Sequence, residues 1–578
     1  MGRDKLPAFE RRVRPLRGRK WFTIFQFEIV FLLLTALPAL CATYYVSATG
    51  KDSAKGDITG PWRTVQHASN VAVAGDTVYI RTGTYNERVV VTNTGVAGGY
   101  ITFSAYPGES PTIDGKGVAV SDGQGLFDFT GRSYLKISGL RIINSASAAL
   151  FAYTPDNIIL TNNYTYNSVS SGIGIWGGSN VTIDNNEVEL ACNDGAEESI
   201  TIAGTYNFEV MNNLVHDGGP GDYGGEGIDV KSGSHDGTIH DNTVYNINAV
   251  CIYIDAYAKH TYNIGVYNNE VFNCSTDGFG IASEEGGLLE NVSLYNNLSY
   301  NNTSCGINMG NYGVVSVQPL NNIAIYNNTL YKNGKQTFGG GIYISNPNAQ
   351  NVVVRNNIVS GNYTFQIVKA QAVGDTVTID NNLVNGFRGY TGETYGTNSI
   401  TGDPMFVNAS VYDLHLQTSS PAIGAASTLN VPAFDFNNRI RPRTQGYDLG
   451  AFEYVGTPPN LVILGNGVNG VLNISSKKKL TMSLSFDSGN KFGTKADWWL
   501  VMVSNSGVYS YNLNGGTWTA GITPVLQGSL VDVPEQSLDL TGLPPGTYTF
   551  YIGVDTNMNG VVDPNVLYYN YLTVNVSN

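Results

Sequence analysis

The chain reads as an all-β protein: a parallel β-solenoid with an N-terminal cap, followed by a C-terminal β-sandwich. Three observations point there. The first is a recurring Asn pair or near-pair, "TNNY", "DNNE", "MNNL", "HDNT", "YNNE", "YNNL", "YNNT", "RNNI" and "DNNL". Its second Asn falls at Asn163, Asn186, Asn213, Asn242, Asn269, Asn297, Asn328, Asn357 and Asn382, in steps of 23 to 31 residues. The second is a family of short segments with the same step, "GIGIW", "SITIA", "GIDVK", "CIYID", "GFGIA", "GINMG" and "GIYIS", whose second and fourth residues are apolar. The third is composition: 68 glycines and only 13 % charged residues, with 42 % hydrophobic content, describe many short strands and turns around a large core. Asn suits a tight corner because it tolerates the left-handed conformation, and stacked amides can bond from rung to rung. The leucine-rich pattern is missing, and the unit is too short for a propeller blade.

Taken in order, residues 1–42 read as a signal peptide. Eight Lys/Arg precede the apolar run "IVFLLLTALPAL", which ends in a plausible cut after Ala42. That run falls short of the roughly 20 residues that span a bilayer. A secreted, extracellular or surface-attached protein with no transmembrane span after cleavage is expected. Removing the leader leaves 24 basic against 43 acidic side chains, a net of −19. Nucleic acid and anionic lipid are poor partners for such a surface, and a polyanionic sugar would need bridging cations. The remaining cysteines, Cys192, Cys251, Cys274 and Cys305, show no CxxC spacing, and their pairing stays open.

Residues 43–133 form an N-terminal cap and first rungs, in which "PWRTVQHASNVAVAGDTVYI" gives a short amphipathic helix, a Gly-Asp turn and a strand. Residues 134–454 carry the repeats and a closing segment, 455–460 form a linker, and 461–578 alternate like sandwich strands. Trp498 and Trp499 in the last region are read chiefly as core. The cap, and the stretch from "DPMF" to "DLGAFEY" (Asp403 to Tyr454), resemble the secreted pectate-lyase-like right-handed parallel β-helix superfamily. The resemblance spans roughly Tyr44 to Tyr454 and implies the fold more strongly than any chemistry.

If the second and fourth residues of each short strand point inward, the third and fifth form two outward columns. One runs Gly174, Thr201, Asp229, Tyr253, Gly280, Asn308, Tyr343; the other runs Trp176, Ala203, Lys231, Asp255, Ala282, Gly310, Ser345. With rungs about 4.8 Å apart, Asp229, Lys231, Tyr253 and Asp255 make a quartet. Lys231, Asp229 and Asp255 are the catalytic candidates. Trp176, Tyr253, Lys259 and His260 are the substrate-binding candidates, and Glu226, Asp229 and Asp255 the ligands of a calcium ion. Neighbouring acids, Glu197, Glu198, Asp222, Glu284 and Glu285, are within loop reach. Such a set suits β-elimination next to a uronate carboxylate, which needs a base, a neutralising cation and positioning groups. Bare acids would raise the pKa of Lys231, so bound calcium must offset them. The alternative is a solvated Asp–Lys–Asp ladder joining neighbouring rungs.

The site loosely resembles that of family 9 polysaccharide lyases, in which an "ADGF" rung followed by lysine precedes a "DDGWD" rung. Glu226, Gly227, Ile228 and Lys231 match the first motif with Glu for Asp; "NAVCIYID" keeps only a late acid of the second. The family's base lysine lies on a later rung, whereas no Lys or Arg occurs here from His260 to Tyr331. The leading expectation is a calcium-dependent lyase of a uronate-containing polysaccharide, acting as a monomer. A non-catalytic glycan-binding surface or matrix protein comes second. A glycoside hydrolase comes third, since the polygalacturonase signatures "NTD", "GHG" and "RIK" are missing. Separately, "DTNMNGVVD" places Asp555, Asn557, Asn559 and Asp563 like the first part of an EF-hand-type calcium loop, with Val566 where that loop ends in Glu. Its plainer reading is an Asn-Gly hairpin turn.

Overall fold

Each turn of the chain lays down three short strands, and the corner between the first two is made by the Asn pair. The computed structural model describes residues 41–193, 197–219, 224–310, 312–313, 315–335, 338–443, 446–456, 458–513 and 515–578. Residues 1–40 of the leader and Asp222 lie outside the described residues. Among those described, the strands stack into three parallel sheets of 13, 11 and 13 strands. Sheet I includes Ser179–Asp184, Tyr206–Met211 and His235–His240. Sheet II includes Ile173–Trp176, Ile200–Ala203, Ile228–Lys231 and Ile252–Asp255. Sheet III includes Glu187–Glu189, Leu214–His216 and Thr243–Tyr245. The protein is a right-handed parallel β-helix.

The two residues of each Asn pair do different jobs. The first takes the left-handed conformation that turns the corner: Asn162, Asn185, Asn212 and Asn268 have φ of 53–58°, and Asp241, at the same point, 54°. The second is buried and extends its amide along the solenoid axis. From Asn163 to Asn382, each Nδ2 donates to the next Oδ1 at 2.9–3.0 Å, eight bonds without a break. The same Oδ1 accepts the backbone N–H of the preceding rung's Asn. The second Asn of each pair therefore leaves none of its own side-chain amide groups unpaired in the core.

The alternation holds residue by residue. Ile173, Ile175, Ile200, Ile202, Ile228, Val230 and Ile252 are fully buried and Ile254 nearly so, all within one continuous core. At the N-terminal end, the helix Val65–Val71 starts at Thr64, whose hydroxyl caps the N–H of His67, and it buries Val65 and Ala68 on the first rungs. In the closing segment, Arg441 and Glu453 form a fully buried pair at 2.7 Å, with Arg441 also donating to the Gly450 and Ala451 carbonyls. Cys251 and Cys274 are joined in a disulfide.

The C-terminal strands form a three-stranded and a seven-stranded sheet. Half-buried Trp498 packs edge-on against Phe486 at the core between them, while Trp499, on the opposite face of its strand, is buried. No helix among the described residues is long and apolar enough to cross a membrane.

Candidate functional site

Strand Ile228–Lys231 turns Ile228 and Val230 into the core, which leaves Asp229 and Lys231 on the outer face. The register places Thr201, Asp229 and Tyr253 in one column and Ala203, Lys231 and Asp255 in the other. The quartet read from the sequence is therefore brought together as expected. Its exposure is not as expected. Asp229 is 2 % exposed, Asp255 1 % and Tyr253 5 %, since Glu198, Glu284 and Tyr312 from the flanking loops pack around them, while Lys231 and Trp176 stay half-buried. The solvated Asp–Lys–Asp ladder is corrected on two counts: the acids are buried, and Lys231 pairs with Glu198 and Asp229 rather than with Asp255.

The loops that cover the quartet contribute further acids. Lys231 Nζ is paired with Glu198 Oε1 and lies 3.4 Å from Asp229 Oδ2. Thr201 orients Glu198 by donating to Oε2 at 2.7 Å. Tyr253 donates to Glu284 Oε1 at 2.6 Å, and the Glu284 N–H donates to Asp255 Oδ1 at 3.1 Å. Trp176 presents its ring 5.8 Å from the Lys231 ammonium, and Tyr153 stands 6.3 Å beyond it. Within the quartet, the buried Asp229 Oδ1 has no hydrogen-bond partner.

This crowding shifts the titration of Glu226, Asp229, Lys231 and Asp255. Burial, together with Glu198, raises Glu226 to about 7, and burial raises Asp255 to about 6. Burial drives Asp229 well above the ordinary carboxylate range, with Lys231 opposing and Glu198 adding to the shift. For Lys231, burial favours the neutral amine but is outweighed by Asp229 and Glu198, so its pKa rises. With the acids bare, Lys231 is an ammonium and no base.

Hard oxygen donors around an unpartnered carboxylate oxygen suit calcium chemically. Yet Glu226, Asp229 and Asp255 do not bring three oxygens within 4.8 Å of one another. The cluster has the right donors for a cation without a formed coordination shell.

Two substrate-binding expectations are corrected. His260 faces Glu290 at 3.3 Å and packs on Tyr262 at 4.5 Å, on the side of sheet I. Lys259 is exposed in the turn leading there. The chain turns away from sheet II after Asp255, and both residues go with it. Conversely, the structure adds Asp277, Asn308 and Tyr312. Asp277 accepts from Asn308 Nδ2 at 3.0 Å and from Tyr312 OH at 2.9 Å, and Tyr312 meets the Tyr253 ring edge-on. A signal for Asp277 was present: Glu198, Glu226 and Asp277 each stand two residues before a sheet II strand.

In the C-terminal region, Asp555 and Asp563 face each other across the turn, where Asp555 Oδ2 accepts the Asp563 N–H at 3.1 Å. Asn557 and Asn559 donate their amide N–H groups to Asp563 Oδ2. A calcium ion there would require those amides to turn their oxygens inward. Asp497, paired in register with Asp555, holds the loop by accepting the N–H of Asn559 at 3.0 Å and of Gly560 at 2.6 Å.

Residues 44–351 match the family described as Pel9A-like, right handed beta helix region, and the chain belongs to that family. Over 440 residues it is 29 % identical to the uncharacterized protein YwoF of Bacillus subtilis (strain 168), covering 65 % of this chain and 91 % of that protein. Over 90 residues it is 40 % identical to pectate lyase PEL9 of Emericella nidulans, only 15 % of this chain and 22 % of that enzyme. The crystal structure of pectate lyase Pel9A superposes with a TM-score of 0.44 at 15 % identity, covering 72 % of this chain and 96 % of that one.

Proposed function

We propose that the protein acts on an acidic, uronate-containing polysaccharide laid across the rungs on the outer face of sheet II, and cleaves it by β-elimination. The observation that carries this reading is the acid cluster around Lys231, with the unpartnered Asp229 Oδ1 inside it and Trp176 beside it. Membership of the Pel9A-like family and the segment similar to a pectate lyase support it. Trp176 offers a flat apolar face to a sugar ring. Glu226, Asp229 and Asp255 would hold calcium, which supplies neutralisation of the substrate carboxylate and offsets the acids that keep Lys231 charged. Lys231, once neutral, stands at the outer face as the base for the proton next to the uronate carboxylate. Glu198 positions Lys231, and Thr201 positions Glu198.

The second reading, a glycan-binding protein without turnover, draws on one observation: with the acids bare, Glu198 and Asp229 lock Lys231 as an ammonium. Growth of unsaturated-product absorbance on uronate polymers, with calcium and with chelator, separates the two. Lys231→Ala should slow cleavage by about 10²-fold or more, the usual worth of a general base. A parent that binds these polymers without making unsaturated ends would establish the second reading instead. Export into an oxidising compartment belongs to the same proposal, and the Cys251–Cys274 disulfide suits it.

A further inference from the structure

On sheet III, away from the acid cluster, Glu187, Glu189 and His216 occupy two adjacent rungs. Strands Glu187–Glu189 and Leu214–His216 pair so that Glu189 lies directly opposite His216, with Val188 and Val215 turned into the core between them. One ligand atom from each of Glu187, Glu189 and His216 falls within 4.8 Å of the other two. Among the described residues, this is the group of acids, histidines and cysteines that converges in this way.

The hydrogen bonds around the group fix what each atom can do. His216 Nδ1 lies 2.8 Å from Asp217 Oδ2, and a carboxylate can only accept, so Nδ1 carries the proton. Asp217 is itself held by Asn246, which donates to its other oxygen at 2.9 Å. In the neutral ring, Nε2 is then a lone pair, and it points at Glu187 Oε1, another acceptor, 3.4 Å away. Glu189 is oriented by Tyr164, whose hydroxyl donates to Oε2 at 2.6 Å. Tyr245 stacks on the imidazole at 5.1 Å and keeps it in place. Three electron-pair donors therefore face one another, His216 and Glu189 steadied from behind, with nothing but a cation or a proton able to join them. An imidazole whose far nitrogen donates to a carboxylate is the usual arrangement of a metal-bound histidine.

The chain supplies its own comparison. His240 has the same backing, Nδ1 to Asp241 at 2.7 Å, but only one carboxylate, Glu209, meets its Nε2, at 3.1 Å. That is a closed ion pair; the His216 group has an additional carboxylate and a longer gap.

We propose that Glu187, Glu189 and His216 bind a divalent transition ion of the zinc class across two rungs of sheet III. One imidazole and two carboxylates favour such an ion over calcium, which prefers all-oxygen sites. Three protein ligands leave the remaining position open to water, so the ion is exchangeable.

The test is calorimetric titration of the full chain, freed of metal with chelator, using zinc in the presence of millimolar calcium to occupy oxygen-only sites. A single zinc event is expected. It should be lost in His216→Ala, weakened about 10- to 100-fold in Asp217→Asn as for other supports of a ligand, and unchanged in His240→Ala and Glu226→Gln. Because Glu187 is partly exposed, Glu187→Gln removes a ligand without threatening the fold, and it should weaken zinc as well. Cobalt(II) in place of zinc should give a visible spectrum that disappears in the same variants. No zinc binding by the parent, or equal affinity in His216→Ala and Glu187→Gln, would overturn the assignment. So would an equal loss in His240→Ala.

Discussion

Replacing Asn269 by Ala tests the amide ladder directly. The side chain donates to the Ile239 and Tyr267 carbonyls at 2.9 and 3.0 Å and to Asn297 Oδ1 at 3.0 Å, and it accepts from Asn242 N–H and Nδ2 at 3.1 and 3.0 Å. Asn297 Oδ1 keeps the Asn269 backbone N–H, and Asn242 Nδ2 keeps the Val210 carbonyl. The groups left without this partner are then the Asn242 N–H and the Ile239 carbonyl, while the Tyr267 carbonyl keeps the Asp241 N–H at 3.3 Å. At about 1–3 kcal/mol for each of these two groups, the loss is about 2–6 kcal/mol, toward the low end if water enters. The neighbour gives the control: Asn268 sits at φ 53°, which glycine adopts freely, so Asn268→Gly should cost about 1 kcal/mol or less. Urea unfolding measures both, and hydrogen exchange should show faster opening of the strands Thr261–Tyr267 and Glu270–Phe272 in Asn269→Ala. If Asn269→Ala and Asn268→Gly lose the same small amount, the buried amides do not hold the stack together.

Further predictions concern the core, the acid cluster and the C-terminal loop. Ile228→Asp places an unpaired charge at a fully buried position and should cost several kcal/mol, read as a lower urea midpoint. Glu226 and Asp255 have folded pKa values raised to about 7 and about 6, so the folded state holds their protons more tightly than the unfolded chain. Their contribution is thus full below the ordinary carboxylate range and is lost as pH rises through 6 to 7. In chelator, the melting temperature should fall across that interval; Glu226→Gln should reduce the fall, and calcium should oppose it. A profile that is flat across this range in both parent and variant would contradict the crowding described at the site. Millimolar calcium should slow hydrogen exchange in strands Gly546–Asp555 and Leu567–Ser577 of the full chain, and Asp555→Ala should remove that response. Unchanged exchange would leave a plain hairpin turn.

The sequence displayed the solenoid because its period is carried by two kinds of residue with separate tasks, the Asn pairs at the corner and the alternating strand residues. Those same strands set the two outward columns, so Asp229, Lys231, Tyr253 and Asp255 could be placed side by side without coordinates. Burial was not readable, because alternation says which way a side chain leaves the sheet and nothing about the loop that folds over it. Lys259 and His260 follow Asp255 closely in the chain but belong to the turn toward sheet I, where proximity in sequence ceases to mean proximity in space. Asp497 lies 58 residues before Asp555, and only antiparallel pairing brings them together. The pairing of Cys251 with Cys274 likewise depends on how consecutive rungs superpose.

The uneven step of the repeat has a consequence of its own. Every corner from sheet I to sheet III in the ladder uses two residues, as between Asp184 and Glu187 or between Tyr267 and Glu270. The connections into and out of sheet II vary instead: Trp176 reaches Ser179 directly, whereas Met309 reaches Leu320 only after a long excursion. One edge of the molecule is a fixed spine and the other an adjustable margin. Insertions on the margin change the walls around the acid cluster while the amide spine keeps every rung in register. The binding surface of such a protein can be remodelled one loop at a time, without renegotiating the fold beneath it.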